Sequence, residues 1–111
     1  MKTKSKHSVN LSLQVIPLNT EAAYPIIDRA IESIQASGVR CEVQPFATLL
    51  EGDWDRLMAS VEGAKDAALA AGAEELLLNV QIHLKKDADV HWEDKAAKYR
   101  VPKVSPRPDN Q

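Results

Sequence analysis

"ELLLNVQIHLK", residues 75–85, opens as an unbroken apolar run and then turns to alternation. Leu76, Leu78, Val80, Ile82 and Leu84 share one side of an extended strand, and Leu77, Asn79, Gln81 and His83 share the other. A strand covered on both faces reads almost wholly apolar, and a solvated face usually carries Lys, Glu or Thr. Two amides and an imidazole in succession fit neither pattern. One face of this strand therefore packs on a core, while the other meets something with hydrogen-bonding needs of its own.

The segments that precede it supply that core. "GDWDRLMASVEGAKDAALAAG" (52–72) is a helix: Asp53 is a good N-cap, Trp54, Leu57, Met58, Val61, Ala64 and Ala68 fall on one broad face, and Gly72 closes it. "VRCEVQ" (39–44) and "FATLLEG" (46–52) are strands joined by a turn at Pro45. In the former, Val39, Cys41 and Val43 alternate with Arg40, Glu42 and Gln44. "YPIIDRAIESIQASG" (24–38) is a helix with Pro25 at its first position, Ile27, Ile31 and Ile34 (with Ala30) on one face, and a left-handed stop at Gly38. "VNLSLQVIPL" (9–18) alternates Val9, Leu11, Leu13 and Val15 against Asn10, Ser12 and Gln14, and Pro17 ends it.

The order is β-α-β-β-α-β, with both helical connections long enough for right-handed crossovers. The expected fold is α+β and ferredoxin-like, a four-stranded antiparallel sheet with two helices on one face. Leu11, Leu13, Val15, Cys41, Val43, Leu78, Val80 and Ile82 are expected to face the helices. The open face is expected to carry Ser12, Gln14, Ile16, Thr48, Leu50, Leu77, Asn79, Gln81 and His83. A surface that mixes aliphatic with uncharged hydrogen-bonding groups marks an interface or a site. The domain is expected over 9–86 after a flexible start at 1–8. Residues 87–100 are expected to add a short helix near Trp92, and 101–111 a mobile tail.

A chain of 111 residues suits one domain with one core. Its 44% hydrophobic and 27% charged residues place it with folded soluble domains. A formal charge of −2 gives no strong electrostatic case for nucleic acid or an anionic membrane. Cys41 is the only cysteine, which rules out an intrachain disulfide or a thiolate cluster. Ser12 and Gln14 interrupt what would be a signal-peptide core, and no segment approaches the roughly 18 apolar residues that span a bilayer. The expected location is the cytoplasm.

Catalytic and metal motifs are missing. His7, His83 and His91 are far apart and belong to no HExxH or CxxC pattern, and there is no GxSxG, P-loop or GxGxxG. Cys41 sits among alternating apolar positions and reads as a small core residue. An RNA platform on this fold needs stacking aromatics on its middle strands, where only Phe46 is available. No catalytic residue, metal site or cofactor is expected.

"LSLQVIPL" (11–18), "YPIIDRAIESIQASG" (24–38), "VQPFATLLEGDWDRLM" (43–58) and "AGAEELLLNVQI" (71–82) occur in one ordered series. That series resembles the small thiamine-binding protein family of ferredoxin-like fold, and "PFATLLEGD" (45–53) is its most specific part. The resemblance implies non-enzymatic binding of thiamine or its hydroxymethylpyrimidine moiety, in vitamin uptake, salvage or handling. It also implies a homodimer or homotetramer joined through the sheets.

An aminopyrimidine presents ring-nitrogen acceptors beside an amino donor, and a carboxamide can match both. Asn79 and Gln14 are the first ligand-binding candidates on this view, with Ser12 and Thr48 as hydroxyl partners. Gln81 is read either as a ligand contact or as part of a sheet-to-sheet interface. The thiazolium cation is expected to draw on Glu51 or Glu42, or on an aromatic ring such as Trp54 or Tyr24. The alternative is an assembly or regulatory module of the same fold that binds another small metabolite or none. A third reading makes Glu51 or His83 an acid–base group of an enzyme. The resemblance covers roughly residues 9–84, and "HLKKDADVHWEDK" (83–95) lies at and beyond its end; folded over the open face, it would close or occupy a pocket there.

Overall fold

The strongly alternating first segment forms the strand on which the sheet is built, β1 (Val9–Pro17). In the computed structural model, which describes residues 7–99, it pairs antiparallel with both β3 (Thr48–Gly52) and β4 (Leu76–His83). The short β2 (Arg40–Val43) adds to the far side of β3, giving the order β2-β3-β1-β4. Helices α1 (Ala23–Ala36) and α2 (Trp54–Ala70) cover one face. This is the expected α+β, ferredoxin-like arrangement. The tail expected over 101–111, and residues 1–6 of the expected flexible start, lie outside the described residues.

The core lies between that face and the helices. Leu11, Leu13 and Leu50 of the sheet meet Ile26, Ala30 and Ile34 of α1 and Leu57, Ala64 and Ala68 of α2, all of them buried. Each large aliphatic side chain contributes about 1.5–3 kcal/mol by leaving water. The buried stripe of α1 runs one residue ahead of the expected Ile27–Ile31 line. Adjacent isoleucines at 26 and 27 permit either phase, and Ile27 and Ile31 remain half-buried on the helix flank. A Cβ on Gly63 would stand 3.1 Å from Ser33 Oγ, so the missing side chain is what lets α2 come so close to α1. Asp53 caps α2 by accepting the Arg56 N–H at 3.0 Å, and Gly72, at φ +115°, follows the last turn.

One strand runs in the opposite phase to that expected. Leu13 pairs with Thr48 and Leu11 with Leu50, so Thr48 and Leu50 face the helices, where both are buried. Leu49 and Glu51 take their places on the open face. "TLLE" has two adjacent leucines, so either phase buries one of them; pairing with β1 decides which. The phase of β2 agrees with expectation, because Cys41 pairs with the buried Leu50.

Candidate functional site

Strand register stacks the open face into rows. His83, Asn10, Glu51 and Arg40 form the first, drawn from β4, β1, β3 and β2. Gln81, Ser12, Leu49 and Glu42 form the second. Gln14 beside Asn79, then Ile16 beside Leu77, complete the face toward its other end.

The chain returns over the first row after β4. The Val90 N–H donates to the Ser8 carbonyl at 2.9 Å, Asp89 Oδ1 accepts the Ser8 N–H at 2.6 Å, and the Val90 side chain is buried. This return leads into the short helix α3 (Trp92–Ala96) and a 3-10 turn at Ala97–Tyr99. Glu51 ties the roof down. Its Oε1 accepts Asn10 Nδ2 at 2.9 Å and the Trp92 backbone N–H at 2.8 Å. Its Oε2 meets Arg40 Nη1 at 2.6 Å and His91 Nδ1 at 3.1 Å. Arg40 also pairs with Glu93 and lies 4.1 Å over the Trp92 ring.

The electrostatics follow from these contacts. Burial pushes the Glu51 carboxyl up, but the hydrogen bonds from Trp92, His91, Asn10 and Arg40 outweigh it and bring it down to about 2. The hydrogen bond to Glu51 raises His91, and the one to Glu93 raises Arg40. Glu93 is lowered by Arg40 in turn. Glu51 is thus a buried, fully engaged carboxylate.

Beside this hub lies an open cleft of about 540 Å³. Asn10, Ser12, Leu49, Gln81 and His83 supply its floor, and Trp92 and Lys95 of α3 stand at its edge. Asn10 is 7% exposed, and its Nδ2 donates both to Glu51 and to the Val90 carbonyl at 3.1 Å. Both of those partners are acceptors, which sets the orientation of the amide. Its buried Oδ1 accepts no hydrogen bond from the described residues. Such an oxygen costs roughly 1–3 kcal/mol if left unmatched. It is closed to solvent beneath the return of the chain, so a group in the cleft does not reach it while the return is in place. Among the described residues, the side chains of Ser12, Gln81, His83 and Lys95 form no hydrogen bond or ion pair either.

Two of the seven sequence candidates, Ser12 and Gln81, come together on this floor. Glu51 lies beside them but is spent on the roof. Asn79 and Gln14 lie a row away and bond each other, Asn79 Nδ2 donating to Gln14 Oε1 at 3.0 Å. Thr48 belongs to the opposite face, where it lines a second cleft of about 400 Å³ with Leu13, Ile27, Ile31, Tyr24 and Phe46. Trp54 opens α2, is 45% exposed and lines neither cleft.

Asn10, Arg40, His91, Trp92 and Lys95 were not among the sequence candidates. Asn10 does share the parity of Ser12 and Gln14 in β1, which is a usable signal. The others depend on register, or on a return segment with no periodicity to read. Among the described residues no group of three or more His, Cys, Asp or Glu side chains is placed to hold a metal ion. No described helix is long and apolar enough to cross a membrane.

Fold and cleft define a class, ferredoxin-like domains with a partly roofed open sheet face. The chain belongs to the thiamine-binding protein family, whose model matches residues 11–100. It is 35% identical over 92 residues to a UPF0045 protein of Clostridium perfringens, covering 82% of this chain and 96% of the relative. A solved domain of unknown function from Bacillus cereus, DUF77, superposes with a TM-score of 0.80 at 40% identity, covering 86% of this chain and 92% of that one. A Thermotoga maritima protein, whose name proposes a role in thiamine biosynthesis or salvage, superposes with a TM-score of 0.74 at 31% identity. That match covers 84% of this chain and 99% of the other.

Proposed function

We propose that this protein binds thiamine or its hydroxymethylpyrimidine moiety in the cleft on the open sheet face, without transforming it. The feature that carries the reading is the floor of that cleft, where the uncommitted polar side chains of Ser12, Gln81 and His83 lie beside the apolar Leu49. The Gln81 carboxamide would meet the exocyclic amine and a ring nitrogen of the pyrimidine together, while the Ser12 hydroxyl offers a further donor. Leu49 and the Trp92 edge provide apolar surface for the ring. Family membership supports the choice of ligand. The nearest carboxylate, Glu51, is a structural anchor under this reading, and no acid–base pair faces the ligand. We place the activity in the cytoplasm, as a step in vitamin uptake, salvage or handling.

The far end of the same face favours association with further copies. Leu77 is 48% exposed beside half-buried Ile16, an apolar end that suits a homodimer or homotetramer joined through the sheets. The same feature supports the competing reading, an assembly module whose open face meets only another sheet.

Calorimetric titration with thiamine and with hydroxymethylpyrimidine, alongside the native mass, separates the two. Saturable binding that weakens at least tenfold in Gln81→Ala is expected. Binding of neither compound by a folded oligomer would favour the assembly module.

A further inference from the structure

The two edges of the sheet are built differently. β2 has 4 residues, carries Arg40 and Glu42, and has Arg40 held by Glu93 and Trp92. Short length and charge keep an edge from pairing with another chain. β4 has 8 residues, and "LLLNVQIH" (76–83) contains no Lys, Arg, Asp, Glu or Pro. No described strand pairs on its outer side. The Leu18 N–H donates to the Glu75 carbonyl at 2.9 Å, in step with the β1–β4 register. Hydrogen-bonded pairs alternate along an antiparallel ladder, so Leu77, Asn79, Gln81 and His83 spend their backbone groups on β1. Leu76, Leu78, Val80 and Ile82 turn theirs outward, to the free edge. Their side chains lie on the helix side, yet the helices cover them only in part: Val80 is 42% exposed and the other three are half-buried.

We infer that the β4 edge is an interface between two copies of this chain, which join their sheets into one continuous sheet. The partner is a second copy because the edge is complementary to itself. A twofold axis at Asn79, perpendicular to the sheet, sets Leu76 opposite Ile82 and Leu78 opposite Val80. It also pairs every outward N–H and C=O of that stretch. On the helix side all the facing residues are aliphatic, and Val80 leaves water. On the open side Leu77 falls opposite Gln81, and Glu75 falls opposite His83, an acceptor opposite a donor. The residue on the axis meets its own copy, and Asn79 has no charge to repel it. An axis at Val80 would instead set Leu76 opposite Leu84, beyond the end of β4. This contact is separate from any stacking of open faces, because both clefts stay on one side of the joined sheet. It does not depend on the vitamin-binding reading.

The test is native mass and amide exchange on the full chain without ligand, with cysteine cross-linking to fix the register. The natural protein should have the mass of at least two chains. The Gln44 N–H bonds the Ala47 carbonyl, so by the same alternation the Cys41 and Val43 N–H groups point off the β2 edge. Those of Leu78 and Val80 should exchange at least tenfold more slowly than these two. Val80→Lys sets a charge against Leu78 of the other copy and should halve the native mass while the chain still unfolds cooperatively in urea. In Asn79→Cys the thiols stand across a non-hydrogen-bonded pair, about 4.5 Å apart at Cα and within disulfide range. Mild oxidation should link that variant into covalent dimers. It should leave Gln81→Cys, whose copies lie apart on either side of the axis, largely unlinked, as it should the natural protein with Cys41 alone. A monomer, or β4 edge amides that exchange as fast as those of β2, would overturn the inference. So would an oligomer whose mass and protection survive Val80→Lys, since its copies would meet elsewhere. Linkage through Gln81→Cys but not Asn79→Cys would overturn the axis at Asn79. Should Val80→Lys fail to fold, exchange and cross-linking on the other chains decide. None of these readouts involves the vitamin, so failure here leaves the binding reading standing.

Discussion

At one end of the open sheet face Asn79 donates to Gln14 at 3.0 Å; at the other, Asn10 donates to Glu51 at 2.9 Å. The bonds look alike. Their surroundings do not: Asn79 is exposed and Gln14 half-buried, whereas Asn10 and Glu51 are both 7% exposed beneath the return of the chain. Water would satisfy the first pair nearly as well as the partners do, so that bond adds little. Beneath the roof, each polar atom left unmatched costs the full desolvation of its group. The comparison teaches that burial, and not the presence of amides, separates a binding surface from a wet one.

The largest effect should come from removing the anchor. Glu51→Ala takes one of two carboxylate partners from Arg40, which keeps Glu93, and strands the Trp92 N–H and one hydrogen of Asn10. It should cost roughly 2–3 kcal/mol in urea unfolding, as leaving buried N–H groups unmatched does. Amide exchange at Val90 and Trp92 should accelerate far more than at Leu11 in the core. A loss below about 1 kcal/mol would mean that the roof does not depend on this carboxylate.

Acid offers a gentler break of the same contact. The folded Glu51 carboxyl lies at about 2 against an ordinary 4.5, so its contribution is fully present above 4.5 and is lost as pH falls toward the folded value. His91 runs the other way. Raised above its ordinary 6.5, it adds stability below that value and gives it up as pH rises through the folded one. The stability gap between the natural protein and Glu51→Gln should therefore shrink by about 2 kcal/mol on going from neutral pH to about pH 3. Urea melts across that range measure it. A gap that stays constant would show that Glu51 titrates like a solvated carboxylate.

How much of this could be read from the chain differs between the fold and the site. Period-two alternation in 9–15 and 76–84, and helical spacing between the turns, carried the whole ferredoxin-like order, because each pattern is local. The phase of β3 was not local: Leu49 and Leu50 are interchangeable until Leu11 and Leu13 pair with them. That single ambiguity moved Thr48 off the open face. It also hid the row that sets Glu51 between Asn10 and Arg40. The roof was harder still. Val90, His91 and Trp92 act through backbone groups and one carboxylate far away in sequence, and no periodicity announces such contacts.

The smallest expected effect sharpens the comparison from its other side. Asn79→Ala removes an exposed amide pair and should change stability by less than about 0.5 kcal/mol. Calorimetry with hydroxymethylpyrimidine should give an affinity within about twofold of the natural protein, because the cleft ends at the row of Ser12 and Gln81. A tenfold loss would reverse the assignment, since Asn79 does not line the cleft of a single copy. The ligand would then have to lie across the Gln14–Asn79 row, and that exposed row holds a small molecule only if something covers it. A second sheet packed on Leu77 and Ile16 would do so, and the native mass measured alongside would then have to exceed one chain. A loss of affinity in a monomer would leave both placements of the ligand without support.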